Sequence, residues 1–161
     1  MRQVLIEAEE VLSGYDAVLP SMNLRRAWEF AAYRRYSLTE PALDIGCGDG
    51  RFFRLVWPSI SDVTGGDMNP AVVEAAKQSG VYGKVYLAPA HRLPVRNNTF
   101  ASAFANCSLE HMDHLPDVLT SIRHSLKRGA MFALSVVTDK FNDWAALPLL
   151  MEQMAGQSAP A

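Results

Sequence analysis

The segment most informative about the fold is Ala42-Leu43-Asp44-Ile45-Gly46-Cys47-Gly48-Asp49-Gly50. Its short apolar start predicts a buried β-strand. Its alternate glycines predict a tight loop, because glycine adopts positive φ and lets the backbone approach a ligand closely. The residues from Arg51 to Trp57 have helical character until Pro58 stops the helix. The segment therefore predicts a strand, a loop and a helix in succession.

The same alternation of short apolar runs and amphipathic stretches continues along the chain. It predicts strands at residues 62–66, 84–87, 101–105 and 130–137, and helices that start at Asn69 and Leu115. Gly129 is predicted to cap the second of these helices in the left-handed conformation. This order of elements indicates an α/β fold: a Rossmann-like, open, mostly parallel sheet of about five strands with helices on both faces.

The N-terminal part of the chain has helical spacing, at residues 4–12 and 24–36. A chain of 161 residues has room for one domain. We therefore predict a single domain over residues 1–155, with N-terminal helices in 1–40 and a core sheet in 41–137. Residues 156–161 have the composition of a flexible tail.

Composition narrows the classes of partner. Fifteen Lys and Arg against seventeen Asp and Glu give a net charge of -2, which disfavours binding to a nucleic-acid backbone. Residues 1–12 interleave three glutamates with apolar residues, unlike a signal peptide or a membrane span. The cysteines, Cys47 and Cys107, are too few for a disulfide framework. We expect a cytoplasmic protein without nucleic-acid or membrane partners.

The residues that follow each strand are the candidates for chemistry, because open α/β sheets bind ligands beyond the carboxyl ends of their strands. The dinucleotide fingerprint needs a third glycine where Arg51 stands, and Asp44 and Asp49 would repel a pyrophosphate. Those carboxylates suit a cofactor with a positive amino group and a sulfonium centre. Asp67, at the end of the second strand, is placed to accept hydrogen bonds from ribose hydroxyls.

These residues resemble the class I S-adenosylmethionine-dependent methyltransferases, and among them the small-molecule type. The resemblance covers residues 41–137. It is carried by the glycine loop at 43–50, the acidic turn at 66–70, the loop at 90–95 with 97–100, and the segments at 108–112 and 126–129. These motifs occur in the order that the family has.

The resemblance implies S-adenosylmethionine as cofactor, S-adenosylhomocysteine as product and no metal. Gly46 and Gly48 would pass close to the methionine part, whose amino group Asp44 would orient directly or through water. Asp67 would hold the ribose, and Asn106 would line the amino-acid end. Met68 would lie against adenine and the backbone of Ala90 and His91 would address its edge. The full set of implied cofactor-binding residues is Asp44, Gly46, Cys47, Gly48, Gly50, Asp67, Met68, Ala90, His91 and Asn106.

Three departures from the family pattern are visible. Pro89 stands where the family often has an Asp that accepts from the adenine amino group, and Ala101 replaces another Asp. The family sheet ordinarily continues to a sixth and a seventh strand, so the chain is expected to be truncated at its C-terminal end. The fifth strand would then be exposed at an edge of the sheet, and the apolar residues Trp144, Leu147, Leu149 and Leu150 would need cover from the protein or a partner, so we expect a homodimer.

Several residues allow more than one interpretation. His111 is a candidate general base for a small-molecule acceptor, or it is a structural histidine. His111, His114 and Cys107 lie close together in sequence, but the ligands that would complete a metal site are missing, so we expect no metal. Asp67 could instead cap a helix and Met68 could belong to the core. Tyr15, Arg25 and Tyr36 could form a lid over the cofactor, or a plain helix surface. The rival functions are a cofactor-binding domain without turnover and a nicotinamide-dependent oxidoreductase.

Overall fold

A computed structural model describes residues 20–138 of the chain, with side chains from residue 25 onwards. In chain order the regular elements are α1 (Pro20–Tyr33), β1 (Ala42–Ile45), α2 (Arg51–Val56), β2 (Val63–Asp67), α3 (Pro70–Gln78), β3 (Lys84–Leu87), β4 (Phe100–Asn106), α4 (Leu115–Ser125) and β5 (Leu126–Ser135). Two short 3-10 helices, Ala90–Arg92 and Leu109–His111, follow β3 and β4.

The five strands form one parallel sheet in the order β3-β2-β1-β4-β5. This confirms the predicted Rossmann-like open sheet. The strand order reverses direction between β1 and β4, so the loops after these two strands flank a crevice at the carboxyl edge. The predicted candidate residues lie in these two loops and in the loops after β2 and β3, at the same edge of the sheet.

One face of the sheet is covered by α1 and α2 through an aromatic cluster. The rings of Tyr33, Phe53 and Trp57 pack against Phe104 of β4, with centroid distances of 4.9, 5.9 and 4.8 Å. Aromatic rings at such distances prefer the edge-to-face arrangement seen here. The cluster therefore fixes α1 on the sheet and sets how its polar residues approach the carboxyl ends of the strands.

The opposite face is covered by α4. Leu43 and Ile45 of β1 pack there with Val118 and Ile122 of the helix. All four residues of β1 are buried, as expected for a central strand with helices on both of its faces. The predicted arrangement of helices on both faces is therefore observed.

The predicted role of Gly129 as a helix cap is wrong. The helix α4 already ends at Ser125, and Gly129, with φ +81°, lies inside β5. The pairing shifts there from Phe100 opposite Leu126 to Ser102 opposite Met131. Extra residues on one strand form an irregularity of the bulge type, where glycine supplies the positive φ. The conformation was predicted correctly and its structural context was not.

Some predictions concern residues outside the described range. They are the first N-terminal helix at 4–12, Tyr15, the apolar residues at 144–150, the tail at 156–161 and the extent of the domain beyond 20–138. In residues 20–138, no helix combines the length and the apolar character that crossing a membrane would take.

Candidate functional site

A cavity of about 470 Å³ opens at the carboxyl edge of the sheet. This volume lies in the range of roughly 300–1,000 Å³ that small-molecule sites usually have. Six of the predicted cofactor-binding residues line it: Gly46, Asp67, Met68, Ala90, His91 and Asn106. The candidate base His111 lines it as well. The topology thus brings residues from four separate loops to one site.

The glycine loop is tied to the end of β2 by its backbone. The N–H groups of Gly46 and Cys47 both donate to the carbonyl of Gly66, at 2.8 and 3.1 Å. The N–H of Gly48 donates to Oδ2 of Asp67 at 3.1 Å. Gly46, Gly48 and Gly50 have φ of +68°, +54° and +82°, which confirms the predicted need for positive φ in this loop.

Both carboxylate oxygens of Asp67 accept hydrogen bonds from the backbone. Its Oδ2 accepts from Gly48, and its Oδ1 accepts from the N–H of Asn69 at 2.9 Å. The residue that caps α3 is Asn69, whose side chain accepts from Ala71, so Asp67 is not the cap of that helix. A carboxylate has about four acceptor sites, so Asp67 keeps capacity for hydroxyl donors from the cavity.

Asp44, Cys47, Gly48 and Gly50 lie outside the lining of the cavity. The Asp44 side chain is 3% exposed and lies beneath the loop, where Oδ2 accepts from the hydroxyl of Tyr82 at 2.6 Å. Burial, opposed by the Tyr82 hydrogen bond and reinforced by the nearby charge of Asp67, raises the pKa of Asp44 to about 7. The Asp44 side chain is therefore buried next to the glycine loop and does not line this cavity.

The Cys47 side chain also lies beneath the loop. It packs against Gly65, where an added Cβ would stand 3.0 Å from the sulfur. Burial raises the pKa of the Cys47 thiol, so it stays neutral. Gly50 is the first residue before α2. Cys47 and Gly50 therefore shape the loop from below, and only its backbone is available to a ligand.

The side of the cavity nearest β2 and β3 is more apolar. Met68 is 70% exposed, which excludes the alternative of a core residue. Pro89 precedes the short helix that carries Ala90 and His91, and all three line the cavity. The His91 ring lies 6.1 Å from that of His114, measured between centroids. This side of the cavity therefore offers the exposed Met68 side chain and the backbone of residues 88–91 to a ligand.

The opposite side of the cavity is polar, and its lining residues Arg26, Asn106 and Cys107 are bound by a residue that the sequence did not single out, Glu29 of α1. Its Oε2 accepts from Arg26 at 2.6 Å and from Asn106 at 3.2 Å. Its Oε1 accepts from the Cys107 thiol at 2.9 Å. Glu29 thus connects α1 to the end of β4, a contact that no local pattern in the sequence could indicate.

The proposed lid residues are dispersed. Arg25 approaches Oε1 of Glu29 at 3.7 Å, next to the cavity. Tyr36 is 58% exposed and does not line the cavity; its carbonyl accepts from the indole of Trp57. In the described part of the chain, α1 therefore lines the cavity with Arg26, which Glu29 holds, and not with the lid candidates Arg25 and Tyr36.

His111 lies in the short helix after β4 and is exposed to the cavity. Cys107 and His114 line the same cavity and have positive φ, of +45° and +55°. Among residues 20–138, no group of three or more His, Cys, Asp or Glu side chains is arranged to hold a metal ion. Residues with unusual backbone angles cluster at functional sites more often than elsewhere.

This fold and site define a class of protein: a Rossmann-like domain with a nucleoside-sized cavity over a glycine loop. The sequence of residues 43–134, more than half of the chain, matches the family described as "Methyltransferase domain". The chain belongs to this family. The match confirms the resemblance to methyltransferases that the motifs indicated.

Individual proteins that are similar to this chain are also named as methyltransferases. The chain is 33% identical over 110 residues to squalene methyltransferase 1 of Botryococcus braunii, covering 64% of this chain and 29% of that protein. It is 27% identical over 126 residues to a malonyl-[acyl-carrier protein] O-methyltransferase of Xylella fastidiosa (strain M23), covering 75% of this chain and 43% of that protein. The matched region is therefore less than half of each relative.

Among solved structures, a SAM-dependent methyltransferase of Thermotoga maritima, described as a possible histamine N-methyltransferase, has the same fold. It superposes with a TM-score of 0.63 at 22% identity, over 83% of this chain and 59% of that one. Family and fold together imply S-adenosylmethionine as the cofactor.

The residues present fit this cofactor. Asp67 borders the cavity and Asp44 lies beneath the loop, so the loop is backed by carboxylates. Arg26, a cation in the lining, is paired with Glu29. Such a charge distribution favours a cationic sulfonium and amino group over a diphosphate, which the same carboxylates would repel.

Proposed function

We propose that this chain transfers a methyl group from S-adenosylmethionine to a small-molecule acceptor. The observation that carries the proposal is the paired acidic support of the glycine loop, Asp67 beside the cavity and Asp44 beneath it. Asp67 would accept from the ribose hydroxyls, Met68 would cover one face of adenine, and the backbone of Ala90 and His91 would border its edge. Gly46 and Asn106 would border the amino-acid end.

When bound, the cofactor supplies an activated methyl group on a sulfonium that is its own leaving group. The protein then has to align the acceptor with the methyl carbon and exclude water, and such positioning contributes about 7–11 kcal/mol to lowering a barrier. The polar wall formed by Asn106, Cys107 and His111 would face the acceptor. The acceptor itself stays unassigned between oxygen, nitrogen and carbon nucleophiles.

His111 is proposed as the base that removes a proton from the acceptor. It is exposed to the cavity, and histidine is the side chain that most often acts as a general base. We expect His111→Asn to lower turnover while the cofactor still raises the melting temperature as in the parent. His124→Asn, which alters a histidine outside this cavity, is the matched control. If His111→Asn keeps full turnover, His111 is not the base and has only a structural role.

The binding part of the proposal is tested by thermal unfolding with S-adenosylhomocysteine. At a ligand concentration about a hundred times its dissociation constant, binding stabilises the native state by about 2.7 kcal/mol, so a clear rise in melting temperature is expected. NADH is the control ligand, because its diphosphate would meet the carboxylates of the loop. An unchanged melting curve with S-adenosylhomocysteine, or a larger rise with NADH, contradicts the proposal.

A second function is a cofactor-binding domain without turnover. Two observations favour it: Pro89 cannot supply the carboxylate that the adenine amino group often meets, and the matched region is less than half of each curated relative. The two functions differ in an acceptor screen followed by mass spectrometry. Methylated product supports the enzyme, whereas tight cofactor binding without product from any acceptor supports the binding domain.

The remaining parts of the proposal concern the whole protein. We propose a single domain over residues 1–155, a cytoplasmic location and a homodimer through the free edge of β5. Within residues 20–138, β5 pairs only with β4, and Leu134 and Val136 beside that edge are 43% and 45% exposed. Light scattering on the purified chain measures whether it is dimeric.

A further inference from the structure

Tyr82 joins the segment before β3 to the underside of the glycine loop. Its hydroxyl donates to Oδ2 of Asp44 at 2.6 Å and lies 3.3 Å from the carbonyl of Cys47. The ring fills the space beside Gly50, where an added Cβ would stand 2.6 Å from Cε2 of the tyrosine. It also borders Gly65 of β2, at 3.2 Å from such a Cβ. Two glycines therefore make room for this one ring.

The hydrogen bond from Tyr82 orients the Asp44 carboxylate. Asp44 lies on the face of the sheet where Tyr82 packs against Phe53, away from the cavity. Without the tyrosine hydroxyl, the carboxylate would have no fixed orientation and would lose a strong, charge-assisted hydrogen bond. Tyr82 thus holds the charge beneath the loop, close to Gly46 and Gly48 in sequence.

Among residues 25–138, no counterion acts on the Asp44 carboxylate. Within the described residues, the ionisable groups that act on its carboxylate are Tyr82, as hydrogen-bond donor, and Asp67, as a like charge; Cys47 beside them is a neutral thiol. The neighbouring strand position on β4 is Phe104, and α2 presents Phe53. The site is therefore acidic and desolvated, a condition that favours a cation nearby.

We propose that Tyr82 is a positioning residue for the cofactor: its hydroxyl holds the Asp44 carboxylate beneath the glycine loop, where that carboxylate attracts the cationic end of S-adenosylmethionine without touching it. The inference rests on the proposed function, since it assumes a cationic ligand over the loop. The family resemblance implies that Asp44 orients the amino group directly or through water, and it assigns no role to Tyr82.

The proposal predicts that the affinity for the cofactor depends on pH. Burial raises the pKa of Asp44 to about 7 in the free protein, so near neutral pH part of the population carries a neutral carboxyl group. A cation over the loop favours the ionised form, so the proton leaves to solvent when the cofactor binds. Affinity therefore rises as the pH increases through about 7, by linkage. Loss of the Tyr82 hydrogen bond disfavours the carboxylate and moves this rise to higher pH.

Titration calorimetry on the full chain tests the inference with S-adenosylmethionine and adenosine, which lacks the amino-acid part and the sulfonium. At pH about 7, Tyr82→Phe is expected to weaken S-adenosylmethionine binding up to about tenfold, because without this hydrogen bond a smaller fraction of Asp44 is ionised in the free protein. Adenosine binding should stay unchanged. The parent should release protons on binding S-adenosylmethionine, seen as heats that vary with the ionisation enthalpy of the buffer. Tyr86→Phe, on the other face of the sheet, is the matched control.

The outcomes separate the inference from the proposed function. Tyr82→Phe with the affinity and pH profile of the parent overturns the inference, as does an equal loss for S-adenosylmethionine and adenosine, which would indicate a merely structural tyrosine. If Tyr82→Phe does not fold, proton release by the parent decides, and its absence overturns the inference. A parent that binds adenosine but not S-adenosylmethionine, or neither compound, overturns the proposed function itself.

Discussion

Replacing Asp67 with alanine is expected to weaken binding of S-adenosylmethionine about a hundredfold or more. A hydrogen bond to a charged group contributes about 1.5–3 kcal/mol, and Asp67 would accept two from the ribose hydroxyls. A tenfold change in affinity corresponds to about 1.4 kcal/mol. The substitution also removes the acceptor of the Gly48 and Asn69 N–H groups, which keep the glycine loop against β2. Most of the melting-temperature rise with S-adenosylhomocysteine should therefore disappear.

The same strand supplies the matched control. Asp62 precedes β2 at its amino end, is exposed, and lies at the edge of the sheet opposite to the cavity. Asp62→Ala should bind both adenosyl compounds as the parent does. Titration calorimetry with both adenosyl compounds measures the affinities of the two variants and of the parent. If Asp67→Ala keeps an affinity within about threefold of the parent, or if Asp62→Ala loses as much, the assignment of Asp67 to the ribose is wrong.

Gly46→Ala is expected to have the second large effect, this time on the folded state as well. Gly46 has φ +68°, and an added Cβ would lie 2.5 Å from Cβ and 2.8 Å from Oγ of Ser108. A side chain in the left-handed region costs about 1–2 kcal/mol, and overpacking costs about 1–3 kcal/mol more. We therefore expect a loss of about 2–5 kcal/mol in the free energy of unfolding, measured by urea denaturation.

Gly80→Ala separates the two causes. Gly80 has φ +66°, nearly the value of Gly46, but an added Cβ there meets nothing within 4 Å. This variant carries the backbone strain without the clash, so it should lose only about 1–2 kcal/mol and bind the cofactor normally. Gly46→Ala should also bind the cofactor less well, because Ser108 lines the cavity and its hydroxyl donates to the Ile45 carbonyl at 2.9 Å. Equal stability of the two variants would exclude a steric role for Ser108.

The local features of the fold were predictable because they depend on neighbours in the chain. Short runs of four or five residues predicted the first four strands, with bounds that differ from the observed ones by at most one residue. The glycine loop and the helix start at Asn69 were predicted from residue types whose preferred backbone angles are known. Gly129 shows the limit of this reasoning: its positive φ was predicted, but the irregular pairing of β5 that uses it depends on β4.

The candidate site also combines features that the sequence predicted with features that it did not. The motifs placed Asp67, Met68 and His91 at one cavity, since parallel strands bring their carboxyl ends to one edge of the sheet. They also placed Asp44 there, although its side chain turns to the other side of the loop. The direction of a buried polar side chain depends on its hydrogen-bond partner, and this partner, Tyr82, belongs to no motif.

The amino-acid sequence thus established the class of fold, the acidic glycine loop and the kind of cofactor, because periodicity, glycine positions and charge are local properties. Two contacts emerged from the three-dimensional arrangement alone: Tyr82 with Asp44, 38 residues apart, and Asn106 with Glu29, 77 residues apart. Each joins elements whose proximity follows from the strand order and from how α1 packs on the sheet. Such partners are selected by topology and packing, and no spacing along the chain encodes them.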